Sequence, residues 1–296
     1  MRKLFYGISV VAMALGMVAC DDSVSSANNE DADKESSSSV ISEDASSSSV
    51  KPGSSSSKND DPKSSSSRGL FDMTKDEFLN PEITYGTMTD KRDNKTYKTV
   101  KIGDQVWMAE NLNYADSTKT PSLKGKSWCY ENAADSCAKY GRLYTWAAAI
   151  DSVALANDVD NPQTCGYGKT CTLPTVVQGV CPSGWHLPTY GEWRTLLEAV
   201  GGFSTAGEIL KSGSGWFSNG NGTDDYGFSA LPAGSRYSNG YFFNAGSYAT
   251  FWSASQNENY SDYAYSVDLS YDIEDAFMYD YIKDYGYSVR CLQNSN

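Results

Sequence analysis

Residues 181–193, which run from a cysteine to a tryptophan, constrain the fold of this chain most strongly. Thr189 and Glu192 have the Thr-x-x-Glu spacing of a capping box, in which each side chain satisfies a backbone N–H of a helix's first turn. A helix is therefore predicted to begin near Tyr190. Because Pro188 disfavours helical geometry in the residue before it, the chain is predicted to reach this helix in an extended conformation.

Behind this cap, apolar side chains recur at the i, i+3, i+4 and i+7 positions of one helix face. They are Trp193, Leu196, Leu197 and Val200. Gly201 and Gly202 are predicted to stop the helix, since glycine adopts the left-handed conformation common just past a helix end. Strand, turn and helix form one packing unit, and nothing in it requires catalytic chemistry.

The start of the chain has the pattern of an export signal. A charged beginning precedes an apolar run over residues 4–18, which is too short for a comfortable membrane span. Residues 1–19 are therefore predicted to be a signal peptide. Its end resembles a bacterial lipobox, so Cys20 is predicted to be acylated and to anchor the protein to a membrane outside the cytoplasm. An ordinary secretory signal with an incidental cysteine is the alternative.

Residues 20–68 are rich in serine, acidic residues and lysine, and they contain four Ser-Ser-Ser-Ser blocks. No apolar periodicity is present, so this segment is predicted to be a disordered tether. The remaining residues, 69–296, are long enough for a single domain with a substantial core.

Within this domain the predicted elements are short. Residues 97–102 and 105–108 are predicted to form a hairpin across Gly103 and Asp104, and residues 141–153 a short amphipathic helix. Thr74 and Thr205 each begin a further Thr-x-x-Glu spacing. Beyond Trp216 the pattern favours strands, over residues 226–231, 241–243, 251–252, 263–271 and 285–292. The predicted fold class is α+β, with short helices on an antiparallel, loop-rich sheet.

Six cysteines remain once Cys20 is assigned to lipid. They are Cys129, Cys137, Cys165, Cys171, Cys181 and Cys291. An even number in an exported domain indicates three disulfides, with fifteen formally possible pairings. Proximity favours Cys129 with Cys137 and Cys165 with Cys171, which leaves Cys181 with Cys291. The rival is a metal site, which needs reduced thiolates.

No catalytic constellation is evident in the sequence. His186 is the only histidine, and between Trp185 and Leu187 a structural hydrogen-bonding role is favoured over catalysis. Phosphate-binding and dinucleotide-binding motifs are absent, and no pair of carboxylates is singled out for glycosidase chemistry. The net charge of −13 argues against nucleic acid as a partner.

Two segments are candidates for ligand binding. The first is an oxygen-rich loop that offers calcium ligands, although a glycine-rich turn explains it equally well. Its residues are Asn219, Asn221, Asp224 and Asp225. The second, residues 255–285, combines tyrosines with carboxylates, which suit the C–H face and the hydroxyls of a sugar. The candidates there are Tyr263, Tyr265, Tyr271 and Asp268. The alternative is that these tyrosines are half-buried along strands while the acids face water.

Several motifs resemble the Fibrobacter succinogenes major paralogous domain. They occur in order at residues 97–103, 105–114, 140–146, 180–189, 225–234, 251–254 and 288–292. The match runs from about Asp90 to Leu292. The resemblance implies an exported bacterial protein of a family whose members are often lipoproteins with serine-rich tethers.

More distantly, Leu187-Pro-Thr-x-x-Glu192-Trp193 and the terminal Val289-Arg290-Cys291 are similar to motifs of formylglycine-generating enzymes and C-type-lectin-like folds. This similarity implies a compact α+β domain whose termini come together, consistent with a bridge from Cys181 to Cys291. Formylglycine-generating enzymes use a closely spaced pair of reactive cysteines in a C-terminal loop. Cys291 has no such neighbour here, so oxidase activity is not carried over, nor is the calcium-and-sugar motif of lectins.

These features together favour a membrane-anchored, extracytoplasmic binding or structural module without catalysis, cofactor or metal. Glycans or other envelope components are the expected partners. The expected location is the outer membrane or cell surface of a Gram-negative bacterium. The competing class is an enzyme, either carbohydrate-active or similar to the formylglycine-generating enzymes.

Overall fold

A computed structural model of the protein describes residues 73–295. The predicted signal peptide, the predicted lipidation site Cys20 and the serine-rich segment lie outside these residues. The described part is a mixed helix and sheet structure with antiparallel strand pairs, as the sequence predicts.

Twelve β-strands are present in residues 73–295. In chain order they are β1 Gly86–Thr89, β2 Thr96–Ile102, β3 Gln105–Met108, β4 Ser127–Trp128, β5 Leu143–Tyr144, β6 Trp185–His186, β7 Ala233–Arg236, β8 Phe242–Ala245, β9 Tyr248–Gln256, β10 Tyr263–Ser270, β11 Ala276–Ile282 and β12 Leu292–Gln293. A five-stranded sheet has the order β1-β2-β3-β12-β6, and a three-stranded sheet the order β11-β10-β9. Two further pairs are β4 with β5 and β7 with β8.

Five short α-helices lie between these strands in the same part of the chain. They are α1 Ala134–Tyr140, α2 Trp146–Ala149, α3 Ser152–Ala156, α4 Tyr190–Ala199 and α5 Phe203–Leu210. Single 3₁₀ turns occur at Lys75–Phe78, Pro121–Leu123, Tyr130–Asn132 and Phe217–Asn219.

The predicted capping box at the start of α4 is confirmed. Thr189 Oγ1 accepts from the backbone N–H of Glu192 at 3.2 Å, and Glu192 Oε2 accepts from the backbone N–H of Thr189 at 2.8 Å. The extended segment before Pro188 forms β6. Gly201 and Gly202 follow the helix with φ of 111° and 100°, in the region that glycine enters most readily.

The last strand of the described chain closes the sheet that the first hairpin begins. Leu292 of β12 pairs with Trp107 of β3 on one side and with His186 of β6 on the other. Next to this strand, Cys291 forms a disulfide with Cys181, and both residues are fully buried. The start and the end of the domain therefore meet in one sheet.

All three disulfides have the pairing that proximity in the sequence favours. Besides Cys181 with Cys291, Cys129 is bonded to Cys137 and Cys165 to Cys171. The thiolate metal site considered as a rival is therefore wrong for these six cysteines.

The three-stranded sheet lies between two apolar clusters, because adjacent side chains of a strand point to opposite faces. Trp252 of β9 belongs to one cluster and its neighbour Phe251 to the other. In the second cluster, Trp193 of α4 packs against Trp107 at 4.7 Å between ring centroids and against Phe251 at 5.6 Å. The predicted apolar face of α4 is therefore in the core.

Two helix predictions need correction. Residues 141–153 do not form one helix, because they begin with β5 and are then divided between α2 and α3 by Asp151, whose φ is 53°. Thr205 does not cap a helix either. Helix α5 already begins at Phe203, with Gly202 as its N-cap residue, so Thr205 lies inside the first turn.

Two strand predictions are also wrong, and both concern segments that Arg290 joins. Residues 226–231 are irregular, and residues 285–291 form only single bridges to different partners. The guanidinium of Arg290 is fully buried and donates to the carbonyl oxygens of Met108 at 3.2 Å, Ser229 at 2.9 Å and Phe228. A side chain thus satisfies backbone groups that a strand ladder would otherwise occupy.

Candidate functional site

Seven aromatic rings form a continuous series across the described surface and its underlying core, which we call the aromatic strip. Its members, in spatial order, are Phe243, Tyr237, Tyr285, Tyr287, Tyr281, Tyr279 and Phe277. Successive ring centroids lie between 4.5 Å and 6.4 Å apart. Phe243 is 41% exposed and Tyr279 47%, whereas Tyr287 between them is buried. The strip is therefore two accessible groups of rings joined underneath by one buried tyrosine.

The first group depends on a close approach between the β7–β8 hairpin and the segment after β11. Arg236 and Gly286 exchange two backbone hydrogen bonds, of 3.0 Å and 2.6 Å. A Cβ on Gly286 would lie only 3.2 Å from the Cβ of Arg236, so glycine permits this approach. The neighbouring rings of Tyr237 and Tyr285 then stack at 4.5 Å with an interplanar angle of 3°.

The second group projects from β11 because side chains alternate along a strand. Phe277, Tyr279 and Tyr281 share one face, and the first two rings stack at 5.4 Å with an interplanar angle of 11°. Tyr281 packs edge-on against Tyr287 at 5.3 Å, which joins this group to the rest of the strip.

Asp268 supplies a carboxylate beneath the second group. Its side chain accepts from the Tyr281 hydroxyl at 2.7 Å and from Ser266 Oγ at 3.4 Å. Burial raises the pKa of Asp268 to about 6, although these hydrogen bonds oppose the rise. Burial also raises the pKa of Tyr281, and the neighbouring carboxylate adds to that effect. The Tyr281 hydroxyl is thus kept protonated and aimed at Asp268.

The four residues proposed from the sequence are not brought together. Tyr263 and Tyr265 lie on the face of β10 opposite to Asp268, as alternation along the strand requires. Tyr265 contacts Tyr190 at 4.9 Å. Tyr271 lies past the end of β10, where it contacts Phe217 at 6.0 Å.

None of the seven rings of the strip was a named candidate from the sequence. Tyr237, Phe243 and Tyr287 lie outside the segment 255–285 considered there, and Phe277 lies inside it but was overlooked. The aromatic residues that flank the Asn239–Gly240 turn were a usable signal for the first two. Finding Phe277 required β11 to be recognised as a strand. Its alternation is masked in the sequence, because Met278 and Ile282 on the other face are also apolar.

His186 lies in a hydrogen-bonded structural position. Its Nδ1 is 2.8 Å from Asn294 Oδ1, and its Nε2 is 2.9 Å from Glu192 Oε1. Burial opposes the charged imidazolium, but the bonds to Glu192 and Asn294 outweigh it and raise the pKa of His186. Burial opposes ionisation of Glu192 as well, but the hydrogen bonds from His186 and Thr189 outweigh it and lower the pKa of Glu192. The ring therefore links β6, α4 and the residues after β12.

In the oxygen-rich loop, the side chains bind the protein's own backbone. Asn221 Oδ1 accepts from the backbone N–H of Trp216 at 3.0 Å. Both carboxylate oxygens of Asp224 accept from Ser229, at 2.6 Å from its N–H and 2.6 Å from its hydroxyl. Burial raises the pKa of Asp224 to about 7. Asn219, with φ of 60°, and the exposed Asp225 lie in the turns on either side.

A cavity lies elsewhere, between the first 3₁₀ turn, β2 and α1. It has a volume of about 330 Å³, and its wall includes Lys75, Glu110, Lys139 and Cys137. Lys75 Nζ lies 2.5 Å from Glu110 Oε1. These two charges in its wall are therefore paired with one another.

None of the helices in residues 73–295 has the length and apolarity needed to cross a membrane. Nor does this part of the chain contain three or more histidine, cysteine, aspartate or glutamate side chains placed to share a metal ion.

Comparisons with known proteins give one family. Neither the curated proteins nor the solved structures contained a match to this chain. The family model of the Fibrobacter succinogenes major domain matches residues 100–293, which is most of the chain and includes both strands that meet at β12. The chain therefore belongs to the Fibrobacter succinogenes major domain family.

Proposed function

We propose that this protein is a non-enzymatic binding module that holds a neutral polysaccharide at the cell surface through the aromatic strip. The observation that carries the proposal is the pair of accessible ring groups, Phe243–Tyr237–Tyr285 and Tyr281–Tyr279–Phe277, joined by Tyr287. Aromatic rings offer an apolar face to sugar C–H groups, and tyrosine hydroxyls bind sugar hydroxyls at the wet edge.

The charge of the protein supports a neutral rather than an acidic polymer. The chain has a net charge of −13, and Asp280 and Asp284 lie on and just after β11. Such a field repels a polyanion and leaves an uncharged chain unaffected. Rings already stacked against one another also lose little side-chain freedom on binding, which lowers the entropic cost of association.

The proposed setting is a lipid anchor at Cys20, a serine-rich tether over residues 20–68 and a domain held outside the cytoplasm. A flexible chain of about 48 residues has a root-mean-square reach of roughly 40 Å, enough to hold the domain clear of a bilayer. The outer membrane or the cell surface is the proposed location.

We further propose that the domain has a C-type-lectin-like arrangement. Support comes from the pairing of β12 with β3 and β6, and from the disulfide of Cys181 with Cys291 beside it. Both features bring the ends of the domain together, as that architecture requires.

The first test is polysaccharide binding by the full-length protein in detergent, measured by depletion onto insoluble cellulose, chitin and mannan. Tyr279→Ala and Phe243→Ala are expected to weaken binding by about tenfold each, the loss typical of truncating a buried-on-binding aromatic anchor. Pectin, an acidic polymer, is expected to retain little protein at low salt.

The matched control is Tyr260→Ala. Tyr260 is 64% exposed, contacts Tyr263 and is not a member of the strip. Its replacement is expected to leave binding unchanged. If Tyr260→Ala, Tyr263→Ala or Tyr265→Ala weakens binding while the strip variants do not, the site lies at those tyrosines and not at the strip. Failure of every polysaccharide to retain the wild-type protein would refute the proposed function.

A further inference from the structure

The two short disulfides of this domain have different surroundings. Cys129–Cys137 and Cys165–Cys171 close loops with sequence separations of 8 and 6 residues, so their lengths are similar. Both have at least one half-buried cysteine, whereas Cys181 and Cys291 are fully buried. Any difference in the reactivity of the two short disulfides must therefore come mainly from their local environment.

A cation lies against one of them. Arg142 Nη1 is 3.5 Å from Cys129 Sγ and 3.5 Å from Cys137 Sγ. The guanidinium is held there because its Nη2 donates to the carbonyl oxygen of Ser127 at 3.1 Å and its Nε to Ser127 Oγ at 3.3 Å. At the other disulfide, Cys171 Sγ contacts the neutral amide of Gln256 at 4.0 Å. The buried ammonium of Lys283 lies one contact further away, 3.0 Å from Gln256 Oε1 and 2.8 Å from the carbonyl oxygen of Lys169.

A fixed positive charge favours the thiolate over the thiol and so makes each of these sulfurs a better leaving group. The carboxylates in the same loop, Glu131 and Asp135, are exposed, so water and salt screen their opposing effect. The guanidinium is the charged group in direct contact with the sulfurs.

The backbone conformations of the two loops also favour opening of Cys129–Cys137 over opening of Cys165–Cys171. Between Cys129 and Cys137, Glu131 and Asn132 have φ of 52° and 57°, a left-handed conformation that is unfavourable for Glu131 and better tolerated by Asn132. Between Cys165 and Cys171, the positive φ values belong to Gly166 and Gly168, for which they carry little strain. Opening the first disulfide therefore releases backbone strain, and opening the second does not.

From this geometry we infer that the Cys129–Cys137 disulfide is a site of thiol–disulfide exchange with low-molecular-weight thiols, while the other two disulfides are structural. Cys129 is half-buried and Cys137 is only 5% exposed, so attack falls on Cys129 Sγ. The incoming thiolate forms a bond to Cys129 Sγ, the Cys129–Cys137 bond breaks, and its electron pair leaves on Cys137 Sγ beside Arg142.

The mixed disulfide on Cys129 has two possible fates. Return attack by the Cys137 thiolate expels the small thiol and restores the original bond. Attack by a second small thiol on the mixed disulfide yields the oxidised small-molecule disulfide and leaves Cys129 and Cys137 reduced, so two electrons pass from the two thiols to the protein.

The test uses the full-length protein in a graded series of glutathione or dithiothreitol concentrations, with trapping by an alkylating agent and peptide mass spectrometry. Cys129–Cys137 is expected to open about tenfold faster than Cys165–Cys171, and Cys181–Cys291 is expected to stay closed. Exposure alone predicts a different order, because Cys165 and Cys171 are both half-buried and thus at least as accessible. Opening of Cys165–Cys171 first, or at an equal rate, would overturn the inference.

Two variants separate the causes. Arg142→Met removes the charge at similar side-chain length. It is expected to slow the opening of Cys129–Cys137 towards the rate of the control disulfide Cys165–Cys171, whose own opening rate stays unchanged. Glu131→Gly removes strain far from the sulfur contact and is also expected to slow opening. The closed Cys181–Cys291 bond reports in each variant that the fold is retained. If Arg142→Met unfolds the domain, Glu131→Gly decides, and an unchanged rate in that variant refutes the inference.

Discussion

Asp268 holds a carboxylate inside the domain, where it is only 5% exposed. Hydrogen bonds from Tyr281 and Ser266 replace part of its lost hydration, but they do not compensate for burial, so its pKa rises to about 6. Asp224 is in the same situation near Ser229, with a pKa raised to about 7. Single buried acids of this kind make the stability of a protein depend on pH.

We expect the free energy of unfolding to fall as the pH rises from about 4 to 7. An aspartate in the unfolded chain loses its proton near pH 3.9, whereas Asp268 in the folded protein keeps it to about pH 6, so the folded state binds more protons between these values. Asp268→Asn is expected to remove the part of this fall that Asp268 causes, on the order of 2 kcal/mol in the free energy of unfolding over this pH range. Urea unfolding of both proteins between pH 4.5 and 7.5 measures it.

The control for this change is Asp225→Asn, an exposed carboxyl beside the second buried acid. It is expected to leave the slope unchanged. Parallel stability curves for wild type and Asp268→Asn would show that the carboxyl is not protonated in the folded state near pH 5.

At the scale of elements, the start of the ten-residue helix α4 is held by its capping box and also by a contact with β6. Glu192 contributes both carboxylate oxygens to this start, since Oε2 accepts from Thr189 and Oε1 lies 2.9 Å from His186 of β6. The helix cap is thus also a connection to the five-stranded sheet, and through Trp193 to the second apolar cluster.

Thr189→Ala is expected to destabilise the domain by about 1 kcal/mol, the usual loss for an N-cap hydroxyl. Denaturant unfolding with an unchanged m-value measures the loss. The matched control is Thr205→Ala, because Thr205 has the same x-x-Glu spacing but lies inside α5. Its replacement is expected to change stability by less than about 0.5 kcal/mol. Equal losses in the two variants would mean that spacing, and not the observed cap, determines the effect.

At the scale of the whole molecule, the domain is closed by one long covalent link. The Cys181–Cys291 disulfide spans 110 residues and lies beside the strand that pairs with both β3 and β6. The segment of the sequence between these two cysteines contains the three-stranded sheet with both its apolar faces and every ring of the aromatic strip. The accessible rings are therefore attached to a part of the chain whose two ends are fixed together.

Replacing Cys181 and Cys291 together by alanine is expected to cost up to about 5 kcal/mol, because a long loop is freed in the unfolded chain. The matched pair Cys165→Ala with Cys171→Ala is expected to cost about 2.5 kcal/mol, since its loop is short. Thermal and urea unfolding of the two double variants compare them. Similar losses would indicate that local packing, and not loop length, sets the contribution of each bond.

Several features followed from the sequence because they depend on residues only a few positions apart. The cap of α4, its glycine end, the first hairpin and the short disulfide loops are of this kind. Arg290 and Tyr265 show where such reasoning stops. The partners of Arg290 lie on segments far away in the chain, and they convert two predicted strands into irregular loops. That Tyr265 and Asp268 lie on opposite faces follows from alternation along β10, but the cluster that each face meets depends on strand pairing and packing, as does the contact of Tyr237 with Tyr285. Strand pairing and long-range contacts arise when the apolar clusters pack, so the tertiary structure alone decided which rings of different segments share a surface.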